Sequence, residues 1–283
     1  MSTAPASPVQ RLRLRNILRE HRSRLELTQE QVATAMDWSL SKVIRIEKGE
    51  VGISVNDLRA LLDLYDVGEK DPLIELARAA RKAPWWNAYR DKLTSSFLRY
   101  VGIEASASHV SHFQGMIVPG LLQTMDYARE ALLGTLPGPI SDADVAERLE
   151  IRQHRQTDFF SQDLPPELSV VVDEAVVRRV VGSPKIWRAQ LSHLLDMADR
   201  PRLTVQVVPF ARGIHPGHIG PFILTDFDEL PSVVYLEGPL NDALSERPEE
   251  AEGYRATFDR LRSMALSPDE TSDFIRRAAS ELD

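Results

Sequence analysis

Twenty consecutive residues, Thr28 to Glu47 (TQEQVATAMDWSLSKVIRIE), constrain the fold of this chain more tightly than any other stretch. They read as two short helices around a tight turn. Thr28 is an N-cap residue, and Val32, Ala33 and Met36 follow on one helical face at i, i+1 and i+4 spacing. Ala33 is small enough for another helix to cross closely. Asp37 and Trp38 interrupt the pattern: Asp tolerates a left-handed turn better than most residues, and Trp38 supplies an apolar plug beneath it. Ser39 then caps the second helix. On that helix Val43 and Ile46 face inward at i, i+3, which turns Leu40, Ser41, Lys42, Ile44 and Arg45 outward. An outer face that mixes small polar, basic and aliphatic groups suits a DNA major groove.

These residues carry a resemblance to the Xre/Cro/repressor class of helix-turn-helix domains. The matching features are the Thr28-Gln29 opening, Ala33 inside the first helix, the turn, and Glu47-Lys48-Gly49 at the end of the second helix. Asp37 departs from the pattern, because such turns commonly have Gly. The resemblance implies that Gln29 binds a phosphate and that Leu40, Ser41 and Arg45 read base edges. Side-chain chemistry sharpens this. A guanidinium such as that of Arg45 can bond O6 and N7 of guanine together, whereas Lys42 and Lys48 are better suited to phosphates, and Leu40 and Ile44 to thymine methyls. Ser39, at the head of the reading helix, completes the candidate DNA-contacting set. The competing reading is an ordinary helical hairpin in a globular core, and the number of agreeing positions weighs against it.

The flanks extend the motif into an all-helical domain over residues 11–67. Arg11 to Arg24 offers Leu14, Ile17, Leu18 and His21 as an inner face among six arginines, most of which read as a solvated surface. Ser54 and Asp57 resemble a capping box ahead of a helix with Val55, Leu58, Leu61, Leu62 and Tyr65 inward. Residues 1–10 read as a disordered leader without the apolar core of a signal peptide. Asp71-Pro72 opens a linker helix within 68–84 that is expected to lead away from the DNA-binding unit and to end at Pro84.

A chain of 283 residues leaves more than 200 for a second domain, placed at 85–283. The net charge of −8 divides unevenly: residues 1–82 hold 14 Lys and Arg against 12 Asp and Glu, a net +2, so the remainder carries −10. Phosphate binding depends on the local face, so an acidic partner domain does not veto it. The absence of cysteine excludes disulfides and cysteine-ligated metal sites and fits a cytoplasmic location. No apolar run approaches the roughly 20 residues needed to cross a bilayer, so no membrane association is expected.

The second part alternates helical and strand signals. Helices are expected at 86–104, 123–134, 142–160, 174–181, 184–198, 247–265 and 269–281. Strands are expected at 168–172, 203–208, 222–227 and 233–237, with a weaker one through 112–118. The segment DELP between the last two clear strands reads as a hairpin. The fold class is therefore α+β overall: an all-α Xre/Cro-type domain followed by an α+β domain with a partly antiparallel sheet.

Residues of this part also carry a resemblance. The WW-x-x-Y opening at Trp85, the run Val118 to Thr124 (VPGLLQT) followed by Tyr127-Ala128-Arg129, Arg152-Gln153, Arg155-Gln156, Val172 to Ala175, Gln206 to Phe210 and Val234 to Glu237 are similar to the C-terminal domain of a large actinobacterial group of Xre-type regulators described as antitoxin-like. That resemblance implies a short protein partner encoded nearby.

The chemistry of the second part is sparse. His109 with His112, placed on one helical face, and His215 with His218 lack the carboxylate of a recurring metal motif, so no metal and no cofactor are expected. The chain has no Gly-x-Ser-x-Gly elbow and no phosphate-cradling loop, so no enzyme is expected. Pro119 to Gln123 reads either as a ligand-contacting loop or as a turn delivering a capped helix, and Asp173-Glu174 as caps of the next helix. Arg148, Arg152 and Arg155 share one helical stripe at i, i+4, i+7. Local pairing with Glu147 and Glu150 competes there with an anion or acidic-partner site. The reading of the whole is a sequence-specific transcriptional regulator that binds double-stranded DNA as a homodimer. Its alternatives are an antitoxin-like partner-binding protein with autoregulatory DNA binding, and a regulator that senses a small-molecule effector.

Overall fold

A computed structural model describes residues 7–49, 51–80, 85–91, 93–104, 106–136, 138–238 and 242–281. The chain forms two compact units, Met1–Leu93 and Thr94–Asp283.

The first unit is helical: α1 (Ser7–Arg24), α2 (Gln29–Ala35), α3 (Leu40–Glu47), α4 (Val55–Leu64) and α5 (Asp71–Ala79), followed by a 3-10 turn at Trp85–Tyr89. Its core joins Leu14 and Leu18 of α1 to Val32 and Ala33 of α2, Val43 and Ile46 of α3, Leu58, Leu61 and Leu62 of α4, and Ile74 and Ala77 of α5. Three expectations change here. Helix α1 begins at Ser7 and buries Val9 and Gln10, so the end of the expected leader is helical; residues 1–6 lie outside the described residues. Helix α5 is no spacer. Its apolar stripe and the small Ala77 pack it into this core against α1, and Arg11 Nε donates to the Ala80 carbonyl at 3.0 Å. Pro84, expected to end it, is outside the described residues. Finally, Ser54 caps α4 by accepting from Asp57 N, but Asp57 does not complete a box: its carboxylate accepts from Lys42 Nζ at 3.1 Å.

The second unit is built on a six-stranded mixed sheet in the order β3-β2-β1-β4-β5-β6. The strands are β1 (His109–Gln114), β2 (Glu167–Asp173), β3 (Leu203–Val208), β4 (Phe222–Asp226), β5 (Val233–Leu236) and β6 (Ala243–Ser245). Strands β1, β2 and β3 run parallel, joined through α7 (Met125–Thr135) and α8 (Asp142–Phe160), then through α9 (Glu174–Arg178) and α10 (Pro184–Ala198). Strands β4, β5 and β6 are antiparallel, and the β4–β5 hairpin matches the expected one. Helix α6 (Ser95–Glu104) precedes the sheet; α11 (Pro248–Met264) and α12 (Pro268–Ser280) follow it.

Alternation of side chains divides the core into two layers. On one face Val110, Val170, Val172, Val205 and Val207 pack with Trp187, Leu191 and Leu194 of α10 and Ile275 of α12. On the other, Phe113, Val171, Val208 and Phe222 meet Phe258 and Leu261 of α11. His109 and His112 lie on a strand, not a helix, so their i, i+3 spacing turns them to opposite faces. The β1 signal was displaced toward 112–118 because His, Ser and Gln alternate where apolar residues normally mark a central strand. Strand β6, with three residues, falls below what sequence patterning resolves.

Candidate nucleic-acid interface

Local chemistry shapes the α2–turn–α3 segment. Thr28 Oγ1 accepts from Gln31 N at 3.1 Å while Gln31 Oε1 accepts from Thr28 N at 2.8 Å, a reciprocal capping box. Helix α2 is capped by Met36, after which Asp37 adopts φ +54° and Trp38 N donates back to the Ala33 carbonyl at 2.9 Å. That six-to-one bond around a left-handed residue is a Schellman ending, which reverses the chain in two residues. Ser39 Oγ accepts from Lys42 N at 3.2 Å and starts α3, so this hydroxyl is engaged as a cap. Beyond α3, Gly49 takes φ +71°, the conformation that accounts for a glycine there.

Glu47 is the hub of this unit. Its carboxylate is buried and accepts from Arg22 Nε at 2.6 Å and Nη2 at 3.1 Å, and from Gln29 Nε2 at 2.7 Å. One side chain of α3 thereby ties down α1 and α2. The Arg22 guanidinium is held above its ordinary range chiefly by the hydrogen bond to Glu47. Burial beside Glu47 pushes the Tyr65 hydroxyl well above its usual range.

The candidate contact residues then fall into two groups. Leu40, Ser41, Arg45 and Lys48 are exposed, and Ile44 is half-buried, while Val43 and Ile46 are buried. Gln29 and Lys42 are committed within the protein: Gln29 to Glu47, and Lys42 to Asp57, with its Nζ 3.8 Å from the Trp38 ring centroid. Lys42 braces α3 against α4. Sequence reasoning missed Glu47 as a structural acid; the signal for it was a charge placed four residues after Val43 and next to Ile46, on the inward side of α3.

The arginine stripe of α8 lies in the second unit, among different partners from those expected. Arg155 Nε and Nη2 bond Glu104 at 3.0 and 2.8 Å, and Arg152 Nη1 donates to Gln123 Oε1 at 2.5 Å. Arg148 is half-buried. Burial works against the Arg155 charge, but Glu104 and Tyr100 outweigh it and hold the guanidinium above its ordinary range. Arg152 is brought down to about 10 by burial and by Arg155. His112, buried, is brought down to about 3 by desolvation first and the charge of Arg155 second, so its ring is neutral at ordinary pH.

Tyr100 OH donates to Glu104, and its ring stacks on Tyr235 with centroids 4.4 Å apart. The segment 118–124 is pinned beside these groups. Gln156 Nε2 donates to the carbonyls of Gly120 and Gln123 at 2.9 and 2.8 Å, and Gln123 Nε2 to that of Val118 at 2.6 Å. Asp173 caps α9 through Ala175 N and also meets His215 Nε2 at 3.0 Å; Glu174 accepts from Arg178 and from Phe210 N. His218 Nδ1 stands 3.0 Å from the His215 carbonyl. Among the described residues no group of three or more metal-binding side chains forms, and no helix is long and apolar enough to cross a membrane.

Residues 13–74 match the model of a family described as "Helix-turn-helix domain", which supports a DNA-binding regulator. No curated protein matches the chain. No solved structure does either. Residues 97–277, well over half of the chain, match a second family, and this protein accordingly belongs to the family described as "Domain of unknown function (DUF5753)", with a helix-turn-helix domain ahead of it.

Proposed function

We propose that the protein is a sequence-specific transcriptional regulator of the Xre/Cro type that binds a near-palindromic operator as a homodimer. The observation that carries this reading is α3, capped at Ser39, anchored by Val43, Ile46 and Glu47, and presenting Leu40, Ser41 and Arg45 on its exposed side. Arg45 is the base-reading residue. Lys48 meets phosphate. Gln29 contributes through its position at the first turn of α2, where backbone N–H groups point outward, while its amide is anchored on Glu47. A single eight-residue helix covers only a few base pairs, so two copies engaging half-sites about 34 Å apart give the affinity that one cannot.

The test is binding of a selected duplex by the full chain and by Arg45→Ala. Loss of one bidentate guanine contact should weaken specific binding by about 1–3 kcal/mol and relax the preference at one position per half-site. Equal binding by the variant removes α3 as the reader.

A further inference from the structure

We propose that Arg152, Arg155 and Gly120 form a binding site in the second unit for the oxyanion of a small molecule, a carboxylate or a phosphate group. It is independent of the DNA reading. Among the described residues, the two guanidinium groups leave several nitrogens without an acceptor. Arg155 uses Nε and Nη2 on Glu104, which leaves Nη1. Arg152 uses Nη1 on Gln123, and its buried Nε has no acceptor. These unspent donors converge: Arg152 Nε and Nη2 and Arg155 Nη1 lie 3.6, 3.9 and 3.8 Å from the point where a Cβ on Gly120 would stand. Any other residue at 120 would cover them with a side chain.

The charge is as unbalanced as the hydrogen bonding. Arg155 has Glu104, but among the described residues Arg152 has no ion-pair partner, and its one acceptor is an uncharged amide. Glu237 acts on Arg152 from beyond ion-pair distance; desolvation holds its carboxyl above the ordinary carboxylate range, more than Arg155 and Arg152 draw it down. A desolvated cation beside a second cation, with no carboxylate of its own within ion-pair distance, is costly, and an oxyanion supplies both the missing acceptor and a nearer charge. The donors are also fixed in advance. Gln156 and Gln123 hold the 118–124 backbone, and Glu104 holds Arg155, so binding requires little reordering. Both arginines are only partly exposed and Arg152 Nε is buried, which admits a small anionic group in preference to a protein surface.

The experiment uses the full chain, with sodium chloride replaced at constant ionic strength by sodium phosphate in one arm and by sodium hexanoate in another. The readouts are melting temperature and titration calorimetry. At least one anion should bind and raise the melting temperature by about 5 °C near saturation. A response to phosphate alone assigns a phosphorylated ligand; a response to hexanoate alone assigns a carboxylate. Arg152→Gln should abolish the response. Gly120→Ala is the second variant: the new methyl meets nothing closer than 3.6 Å, so the fold is kept while the donors are covered, and the response should again be lost. The proposal is overturned if neither anion binds the parent, or if Gly120→Ala responds as the parent does. DNA affinity measured alongside without added anion stays at the parent level in both variants, which separates failure of this site from failure of α3.

Discussion

At Asp37 the backbone stands at φ +54°, a conformation that costs an L-residue about 1 kcal/mol relative to glycine. Asp37→Gly should therefore stabilise the first unit by up to about 1 kcal/mol, read from the midpoint of a denaturant melt, and leave DNA affinity intact. His112 gives a prediction of a different kind. Its folded-state value of about 3 lies below the ordinary 6.5, so the unfolded chain takes up this proton first as pH falls. Stability linked to His112 is complete above about pH 6.5 and declines as pH falls toward 3. At pH 5 the loss is about 2 kcal/mol, and the variant His112→Leu should show a shallower decline. Glu237 runs the other way: its raised carboxyl contributes stability below the ordinary carboxylate range that is lost as pH rises through its folded value. Which residues were legible follows from the range of the interactions. Thr28, Ser39, Asp37 and Gly49 act on neighbours within a few residues, so local sequence carries their roles. Glu47 pairs with Arg22, 25 residues away, and Arg155 with Glu104, 51 away, and only the folded chain brings those partners together.

At the level of elements, Glu47 couples three helices, and its removal should be felt by all of them. Glu47→Ala strands the Arg22 guanidinium and should cost about 3 kcal/mol of first-unit stability, with Glu47→Gln costing less because an acceptor remains. A chemical-denaturation series on both variants checks the order. Helix α5 is the second case. Because Ile74 and Ala77 complete the core on α1, a fragment ending at Val67 should lose cooperative melting by circular dichroism, and one ending at Ala80 should keep it. The α5 stripe was visible in the sequence, but its destination was not: Pro72 and a short amphipathic helix serve equally to leave a domain or to close it. The long elements of the second unit were the most legible, α8 and α10 spanning their expected ranges, because each has a capping serine and many turns of pattern. The parallel pairing of β1, β2 and β3 depends on crossovers of 52 residues (115–166) and 29 residues (174–202), which no local signal records.

On the scale of the whole molecule the two units differ in charge. Residues 1–93 hold 16 Lys and Arg against 13 Asp and Glu, a net +3, and residues 94–283 hold 18 against 29, a net −11. Within that acidic unit the pair Arg152 and Arg155 stands out as cations drawn inward, on elements that fix their geometry. Dimeric binding should show in the salt dependence, with affinity falling steeply and log-linearly as salt rises, about twofold more steeply for a two-site duplex than for an isolated half-site. The central claim, that α3 reads DNA sequence in a two-fold assembly, is tested most directly by selecting duplexes from a random pool with the purified full chain. The expected result is an enriched near-palindrome whose half-sites lie one helical turn apart, with loss of that enrichment in Arg45→Ala. Recovery of no common sequence, or of the same sequence by the variant, would contradict it.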